Sequence, residues 1–215
     1  MRRLRADPAD APAQALALQT ASLLLGYPDE ELVAKAPALL AAADRLPVAG
    51  SDPLRRLTEH LQTAPMQVLQ ADYTETFDLR RRCCLYLTYF SHGDTRQRGM
   101  ALLRFSHAYR TAGAEFLGGE LPDHLAVICE FAATTDLMLG LRLLNENRAA
   151  IELVRTALAE SGSPWTDALD LVRSVLPAAS SRDLEKAMAL ASTGPPEEEV
   201  GLEPFGPPEL MGARR

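Results

Sequence analysis

The chain is short of cysteine, of basic charge and of long apolar runs, and each shortage removes a class of protein. Three cysteines in 215 residues, two of them the adjacent pair Cys83 and Cys84, do not make a disulfide framework. Vicinal cysteines join poorly and an odd count leaves one over, so a reducing, cytoplasmic setting is expected. No stretch approaches the roughly 18 apolar residues that a membrane helix needs, which excludes membrane insertion by a helical span. Only 22 Lys+Arg stand against 29 Asp+Glu, giving a formal net charge of -7 and a pI near 5.2. Phosphate binding needs basic surface, so no nucleic acid partner is expected and a neutral or positively charged one is favoured. Met1-Arg2-Arg3-Leu4-Arg5 has the charge of an export signal, but Ala6-Asp7-Pro8-Ala9-Asp10 places two acids and a proline where an apolar segment would begin. It does not read as a signal peptide.

The vocabulary of catalysis is missing too. There is no Walker P-loop, no G-x-G-x-x-G after a strand, no H-E-x-x-H and no G-x-S-x-G. No E-x-x-H pair of the di-iron type occurs, and the four histidines, His60, His92, His107 and His124, never stand at i, i+4. No metal site, no stably bound cofactor and no enzymatic activity are expected. Cys83 or Cys84 with His92 would make a thiol nucleophile, but small buried hydrophobes are the better reading. Arg80-Arg81-Arg82 reads as the basic cap of a preceding helix.

What is present is helical texture. Ala and Leu dominate and period-two runs are absent. A first helix is expected from Ala11 to Leu25, with Gly26 as its stop. Further starts are expected at Pro28, at Ser51-Asp52-Pro53 and at Pro65, the last carrying Met66, Leu69, Tyr73 and Phe77 on one face. Asp94 with Gln97 resembles a capping box, and Pro122-Asp123 opens another helix. A long helix from Leu137 to Leu158 is expected to break near Asn145-Glu146-Asn147. Ser163-Pro164 and Ser180 with Asp183 begin the last two. Leu85-Tyr86-Leu87-Thr88-Tyr89-Phe90 is apolar on all sides and is expected to be a short buried helix, because a lone strand would lack a partner. The fold class is therefore all-α, a single-domain bundle of about 8–10 helices over residues 11–193. A flexible N-terminus at 1–10 and a disordered tail rich in proline and glutamate at 194–215 flank it.

Nine of the twelve aromatic residues fall between Tyr73 and Phe131, Phe116 among them, with three of the four histidines. Most belong to a core. Some are expected to line a groove, where rings with polar tips hold an amphipathic peptide.

Four segments of this sequence carry a resemblance. Asp72-Tyr73-Thr74-Glu75-Thr76-Phe77-Asp78 resembles the Y-x-x-x-F-D helix of the NarJ family, within the TorD/DmsD-like redox-enzyme maturation chaperones. His92-Gly93-Asp94-Thr95-Arg96-Gln97-Arg98-Gly99-Met100-Ala101 is similar to its H-G-x-S-R-x-R-G-x-A segment, with Thr95 in place of Ser. Leu121-Pro122-Asp123-His124-Leu125 resembles its L-P-D-H-L segment, and Ser22-Leu23-Leu24-Leu25-Gly26-Tyr27-Pro28 its opening helix and stop. Order and spacing match over about residues 15–160.

The resemblance implies an all-helical cytoplasmic chaperone of the nitrate reductase catalytic (alpha) subunit. Such a protein binds that subunit's N-terminal segment and assists molybdenum cofactor insertion without holding the cofactor. It is expected to be a monomer or weak dimer. The client segment, taken as basic and amphipathic, is expected between Tyr73, Phe77, Tyr86, Tyr89 and Phe90, steered by Asp72, Asp78 and Asp123, with His124 titrating between pH 6 and 8. Asp123 is equally readable as the cap of its helix. His92, Gly93, Arg96, Arg98, Gly99 and Pro122 are read as family positions with structural roles, the two arginines pairing with acids on neighbouring helices. The competing reading is an acidic helical subunit or scaffold retained in a redox complex.

Overall fold

The computed structural model describes residues 10–115 and 119–196. Residues 1–9, residues 116–118 with Phe116 among them, and residues 197–215 lie outside them, so the expected N-terminal flexibility and nearly all of the expected tail are not described. Within them the chain is all-α, in twelve α-helices rather than about eight to ten. The difference comes from short pieces. The helix expected from Pro28 is two, α2 (Glu30–Ala34) and α3 (Ala36–Ala43), joined at Lys35; the Asp29 carboxylate accepts from the Leu32 N–H at 2.7 Å to start the first.

Preceding them, α1 (Ala11–Leu24) has Pro12 in its first turn, where no amide hydrogen is required. The next helix, α4 (Val48–Thr63), begins upstream of Ser51-Asp52-Pro53. The Gly50 and Ser51 N–H groups bond the Pro47 carbonyl at 2.9 and 2.8 Å, closing a turn before Pro53, which then sits inside the helix. α5 (Met66–Tyr73) runs directly into a π-helical turn, Thr74–Asp78, closed by Leu79 N–H to Thr74 O at 3.2 Å. A 3₁₀ turn (Arg81–Cys83), α6 (Tyr89–His92) and α7 (Arg96–Thr111) follow.

After residue 119 come α8 (Leu125–Thr134), α9 (Leu137–Glu146), α10 (Arg148–Glu160), α11 (Thr166–Ser174) and α12 (Ser181–Thr193). The break between α9 and α10 falls at Asn147, within the expected segment. The Ser180–Asp183 capping box forms with both reciprocal bonds. Two other expected caps do not. α7 starts after Thr95, whose side chain does not cap it, while Asp94 pairs with Arg98 at 2.8 Å. α11 starts after Trp165, because Thr166 and Asp167 close turns onto the Ser163 and Pro164 carbonyls.

The core is built where α1 packs on α8 and α11, α4 on α3 and α11, and α10 on α11 and α12. Trp165 is its largest fully buried side chain. Beside it the rings of Tyr73 and Phe77 stand edge-on at 5.7 and 5.9 Å between centroids. Below α10 a buried ion pair, Arg148 with Glu152 at 2.6 Å, is extended by Arg173, Asp170 and Arg155, fixing α10 against α11.

The segment Leu85–Phe90 departs most from expectation. Only Tyr89 and Phe90 enter a helix. Leu85–Leu87 is instead paired with the start of α8. Leu87 N–H bonds Asp123 O at 3.1 Å, Leu125 N–H bonds Leu85 O at 2.9 Å, and Tyr86 forms an antiparallel bridge with His124. The stretch therefore has a partner, the Leu121–Leu125 segment. Asp123 does not cap α8. It is fully buried and its Oδ2 accepts from the Thr88 amide at 3.0 Å and from the Thr88 hydroxyl at 2.6 Å.

Two substitutions test these contacts. Asp123→Ala strands a buried amide and hydroxyl of Thr88, and chemical denaturation is expected to show a loss of about 3 kcal/mol. Gly140 lies where α9 meets α8, and a Cβ there would overlap the Cα and Cβ of Ala132. Gly140→Ala is expected to lower stability by about 2 kcal/mol, although alanine is the better helix former by about 1 kcal/mol; a stabilised variant would show that the two helices separate freely.

Candidate functional site

The π-helical turn decides where the Y-x-x-x-F-D residues point. An α-helix would carry Phe77 on beneath Tyr73, whereas the wider turn rotates Phe77 and Asp78 and lets both line an opening with Tyr73. The Tyr73 and Phe77 rings lie 4.7 Å apart, and Tyr27 stands edge-on to Tyr73 at 5.5 Å. The Tyr73 hydroxyl donates to the Leu25 carbonyl at 2.8 Å, so α5 is tied to the end of α1 through the wall of the site. Across from it Tyr86 and His124, held by their bridge, meet edge to face at 5.1 Å. Together with Leu25, Leu85, Val127 and others these residues surround a cavity of about 400 Å³ that opens to solvent.

Its charge is one-sided. Asp78, Glu120 and Glu130 line the cavity, and no lysine or arginine does so among the described residues. The Tyr86 hydroxyl donates to the Glu120 carboxylate. Burial first, and Glu120 second, raise the Tyr86 phenol above its usual range; burial does the same for Tyr73. Both therefore stay protonated donors. Burial lowers the His124 imidazole below its ordinary value of 6.5, against Glu120 and Asp123, which raise it. The titration expected between pH 6 and 8 accordingly moves down. His124 Nδ1 and Asp123 Oδ1 are buried without a hydrogen-bond partner among the described residues.

The structure thus brings together Tyr73, Phe77, Asp78, Tyr86 and His124 of the expected residues and adds Tyr27, Glu120 and Glu130. It does not bring the others there. Phe90 is 3% exposed and belongs to the core. Tyr89 is half-buried and turned to Phe90 and to Arg98, whose guanidinium lies 5.8 Å from the Tyr89 centroid and 5.5 Å from that of Tyr86. Asp72 borders a separate depression with Thr76, Arg80 and Trp165. Asp123 is sealed inside, acting through Thr88.

The remaining family positions serve the frame. His92 Nδ1 lies 3.2 Å from Thr88 O, Gly93 has φ +56°, and the Pro122 carbonyl accepts from the Tyr109 hydroxyl at 2.6 Å. Arg98 pairs with Asp94 of its own segment, not with a neighbouring helix, and Arg96 is exposed. Gly99 is exposed with open space around it, and nothing in the structure explains its small size.

Sequence reasoning missed Tyr27, Glu120 and Glu130. Tyr27 was within reach as part of the L-x-Y-P stop, and Glu120 directly precedes the L-P-D-H-L segment; Glu130 carried no signal.

Cys83, Cys84 and Cys129 are free thiols, each raised above its usual range by burial, which suits packing rather than nucleophilic attack. No group of side chains able to hold a metal occurs among the described residues. No helix among them is long and apolar enough to cross a membrane.

Comparison with known proteins gives this geometry a family. A family model described as nitrate reductase delta subunit matches residues 43–170, more than half of the chain. Over 147 residues the chain is 42% identical to the nitrate reductase-like protein NarX of Mycobacterium tuberculosis, covering 68% of this chain and 22% of NarX. Over 154 residues it is 29% identical to the nitrate reductase molybdenum cofactor assembly chaperone NarJ of Escherichia coli, covering 70% of this chain and 65% of NarJ. The chain thus spans about a fifth of NarX and just under two thirds of NarJ. In fold it is similar to a crystal structure from Archaeoglobus fulgidus described as a redox enzyme maturation protein, with a TM-score of 0.57 at 24% identity, covering 81% of this chain and 99% of that one. By the extent of the family match, the chain belongs to the nitrate reductase delta subunit family.

Proposed function

We propose that this protein is an assembly chaperone for the catalytic subunit of a nitrate reductase, and that the aromatic cavity holds that subunit's N-terminal segment. It catalyses no reaction and keeps no cofactor; holding the immature client is how it assists molybdenum cofactor insertion. The observation that carries this reading is the pairing of rings with one sign of charge. The exposed Tyr27 and half-buried Tyr86 offer apolar faces, with the rings of Tyr73 and Phe77 mostly buried behind them, while Asp78, Glu120 and Glu130 ring the opening with carboxylates. An amphipathic helix with basic residues beside its apolar anchors matches both, and the carboxylate field steers it over roughly 8–10 Å at physiological salt. The family membership and the name of the Escherichia coli relative support the client class.

A second reading, a helical subunit retained in a redox complex, is favoured by NarX, where a matching stretch is a small part of a longer chain. Stoichiometric presence in purified reductase would select it over the chaperone.

Calorimetry with a peptide of about the first fifteen client residues tests the site. Tyr86→Ala is expected to weaken binding about tenfold, and Glu120→Gln to slow association and flatten its salt dependence. Met188→Ser, on the exposed face of α12, is expected to change nothing. Equal affinity in wild type and Tyr86→Ala sinks the assignment.

Because His124 is neutral above its lowered value, peptide affinity is expected to be level from about pH 6.5 to 8. Below that window the unfolded chain takes up a proton that the folded chain resists. Stability from this group is therefore complete above about 6.5 and is lost as the pH falls toward the folded-state value. The urea midpoint is expected to drop between pH 7.5 and pH 5.5 by less in His124→Gln than in wild type.

A further inference from the structure

The helix α7 is an anomaly in an acidic chain. Arg96–Thr111 contains four arginines and no acid, against a net charge of -7 for the whole protein. Only Ala101, Phe105 and Tyr109 of its side chains are buried. The face turned outward carries Met100, 66% exposed, and Leu103, 56% exposed, at its centre. Arg96, Arg104, His107 and Arg110 surround them, at helical spacings that place all six on one side. Arg98 pairs with Asp94, whereas Arg104 and Arg110 form no ion pair among the described residues. Gly99 lies on this face one turn before Leu103, exposed, and a Cβ built on it would meet nothing within 4 Å. Glycine is a poor helix former and no neighbour in the chain requires one here, so close approach by a partner is the use that remains.

An apolar centre with a basic rim calls for apolar surface edged with carboxylates. The protein has such a surface in its cavity. Tyr27 and Tyr86 stand there among Asp78, Glu120 and Glu130, all three exposed, and no lysine or arginine lines it among the described residues. The occupant that suits the cavity, a basic amphipathic helix, is in turn a description of α7. One chain cannot make this match with itself, because α7 is packed on its own body through Phe105 and Tyr109 with its basic face turned away. The two surfaces are nevertheless neighbours: Tyr86 lines the cavity, and the Arg98 guanidinium of α7 lies 5.5 Å from its ring centroid. Neighbouring complementary patches let two copies pair about a two-fold axis, each giving its helix and each receiving one.

We propose that two copies of this chain associate with the exposed side of α7 in each lying across the mouth of the other's cavity. Arg104 and Arg110 meet Asp78, Glu120 and Glu130, and Met100 with Leu103 rests on Tyr27 and Tyr86. The pairing rests on the cavity being the seat of a basic amphipathic helix, as proposed for the client, so client segment and second copy exclude one another. Each copy carries -7 overall, which opposes approach, while the attraction is local; the dimer is therefore weak, with a dissociation constant on the order of 100 μM. The empty protein thus shields its own binding surface and yields it to a client.

Sedimentation equilibrium of the full chain tests this. The weight-average mass is expected to rise from 23.4 kDa toward twice that value between about 10 μM and about 1 mM protein at low salt, and to stay near 23.4 kDa in about 0.5 M salt. Arg104→Glu with Arg110→Glu, and separately Glu120→Lys with Glu130→Lys, are expected to abolish association. Mixing the two double variants restores it, because each helix then meets a cavity of opposite sign. Gly99→Leu puts a better helix former in open space, so it is expected to raise the urea midpoint while weakening association about tenfold. A mass of 23.4 kDa at every concentration overturns the proposal, as does a mixture that fails to restore the dimer or association that ignores Gly99→Leu. Protection of α7 from hydrogen exchange that is independent of protein concentration puts a partner from within the chain on the face and overturns it too. Client-peptide binding separates the two readings. A peptide that binds a chain monomeric throughout removes only the pairing, whereas a dimer that forms beside a failed peptide assay removes only the client assignment.

Discussion

Two backbone hydrogen bonds and one buried carboxylate clamp residues 85–88 to residues 123–125, and the shape of the cavity follows from that clamp. The bonded positions are some 35 residues apart, with α6 and α7 between them, so the closure must be held against chain entropy. Asp123 achieves this from a fully buried position because Thr88 supplies both an amide and a hydroxyl to one of its oxygens. The clamp sets Tyr86 beside His124 and brings the Tyr86 hydroxyl to Glu120, which makes one wall of the cavity. The other wall hangs from Trp165 through the edge-on rings of Tyr73 and Phe77. Each wall is thus fixed by something buried behind it.

The helical class was legible because Ala and Leu report it at nearly every position, and α12 announced itself through a Ser180–Asp183 box whose two bonds are local. The clamp was not legible for the opposite reason. Leu85–Leu87 has no amphipathic period, and its partner is a short stretch carrying Pro122, which looks like a helix start when read alone. Asp123 followed by an apolar run is the pattern of an N-cap, yet the helix begins two residues later and the carboxylate turns inward. Local rules fail there because a distant amide competes for the same oxygen. Phe90 misled in the same way: an aromatic side chain in sequence gives no sign of whether its ring faces a groove or the core. The cavity's acids, Glu120 and Glu130, were invisible because charge becomes a field only once the fold gathers it.

That gathering matters more than the net charge. A value of -7 describes neither the cavity, where three carboxylates meet no lysine or arginine among the described residues, nor α7, where four arginines share a helix without an acid. The interior uses charge in a third way. Arg148 and Glu152 are buried together, joined by Arg173, Asp170 and Arg155. Such pairs add little net stability over apolar residues, but removing one partner costs about 3–5 kcal/mol, so they dictate how α10 and α11 meet.

A cavity walled by rings that are already locked has a further consequence for a binder of segments. Little ordering remains to be done on the protein's side, so the free energy lost on binding falls mainly on the incoming chain. Under the proposed function the client arrives unfolded at that segment and gives up its freedom there, which keeps affinity moderate even where ring contact is extensive. Carboxylates at the rim then act on the approach, since long-range attraction speeds encounter more than it slows departure. A site built this way captures quickly and releases readily, as a protein that accompanies an immature subunit without remaining in the finished complex requires.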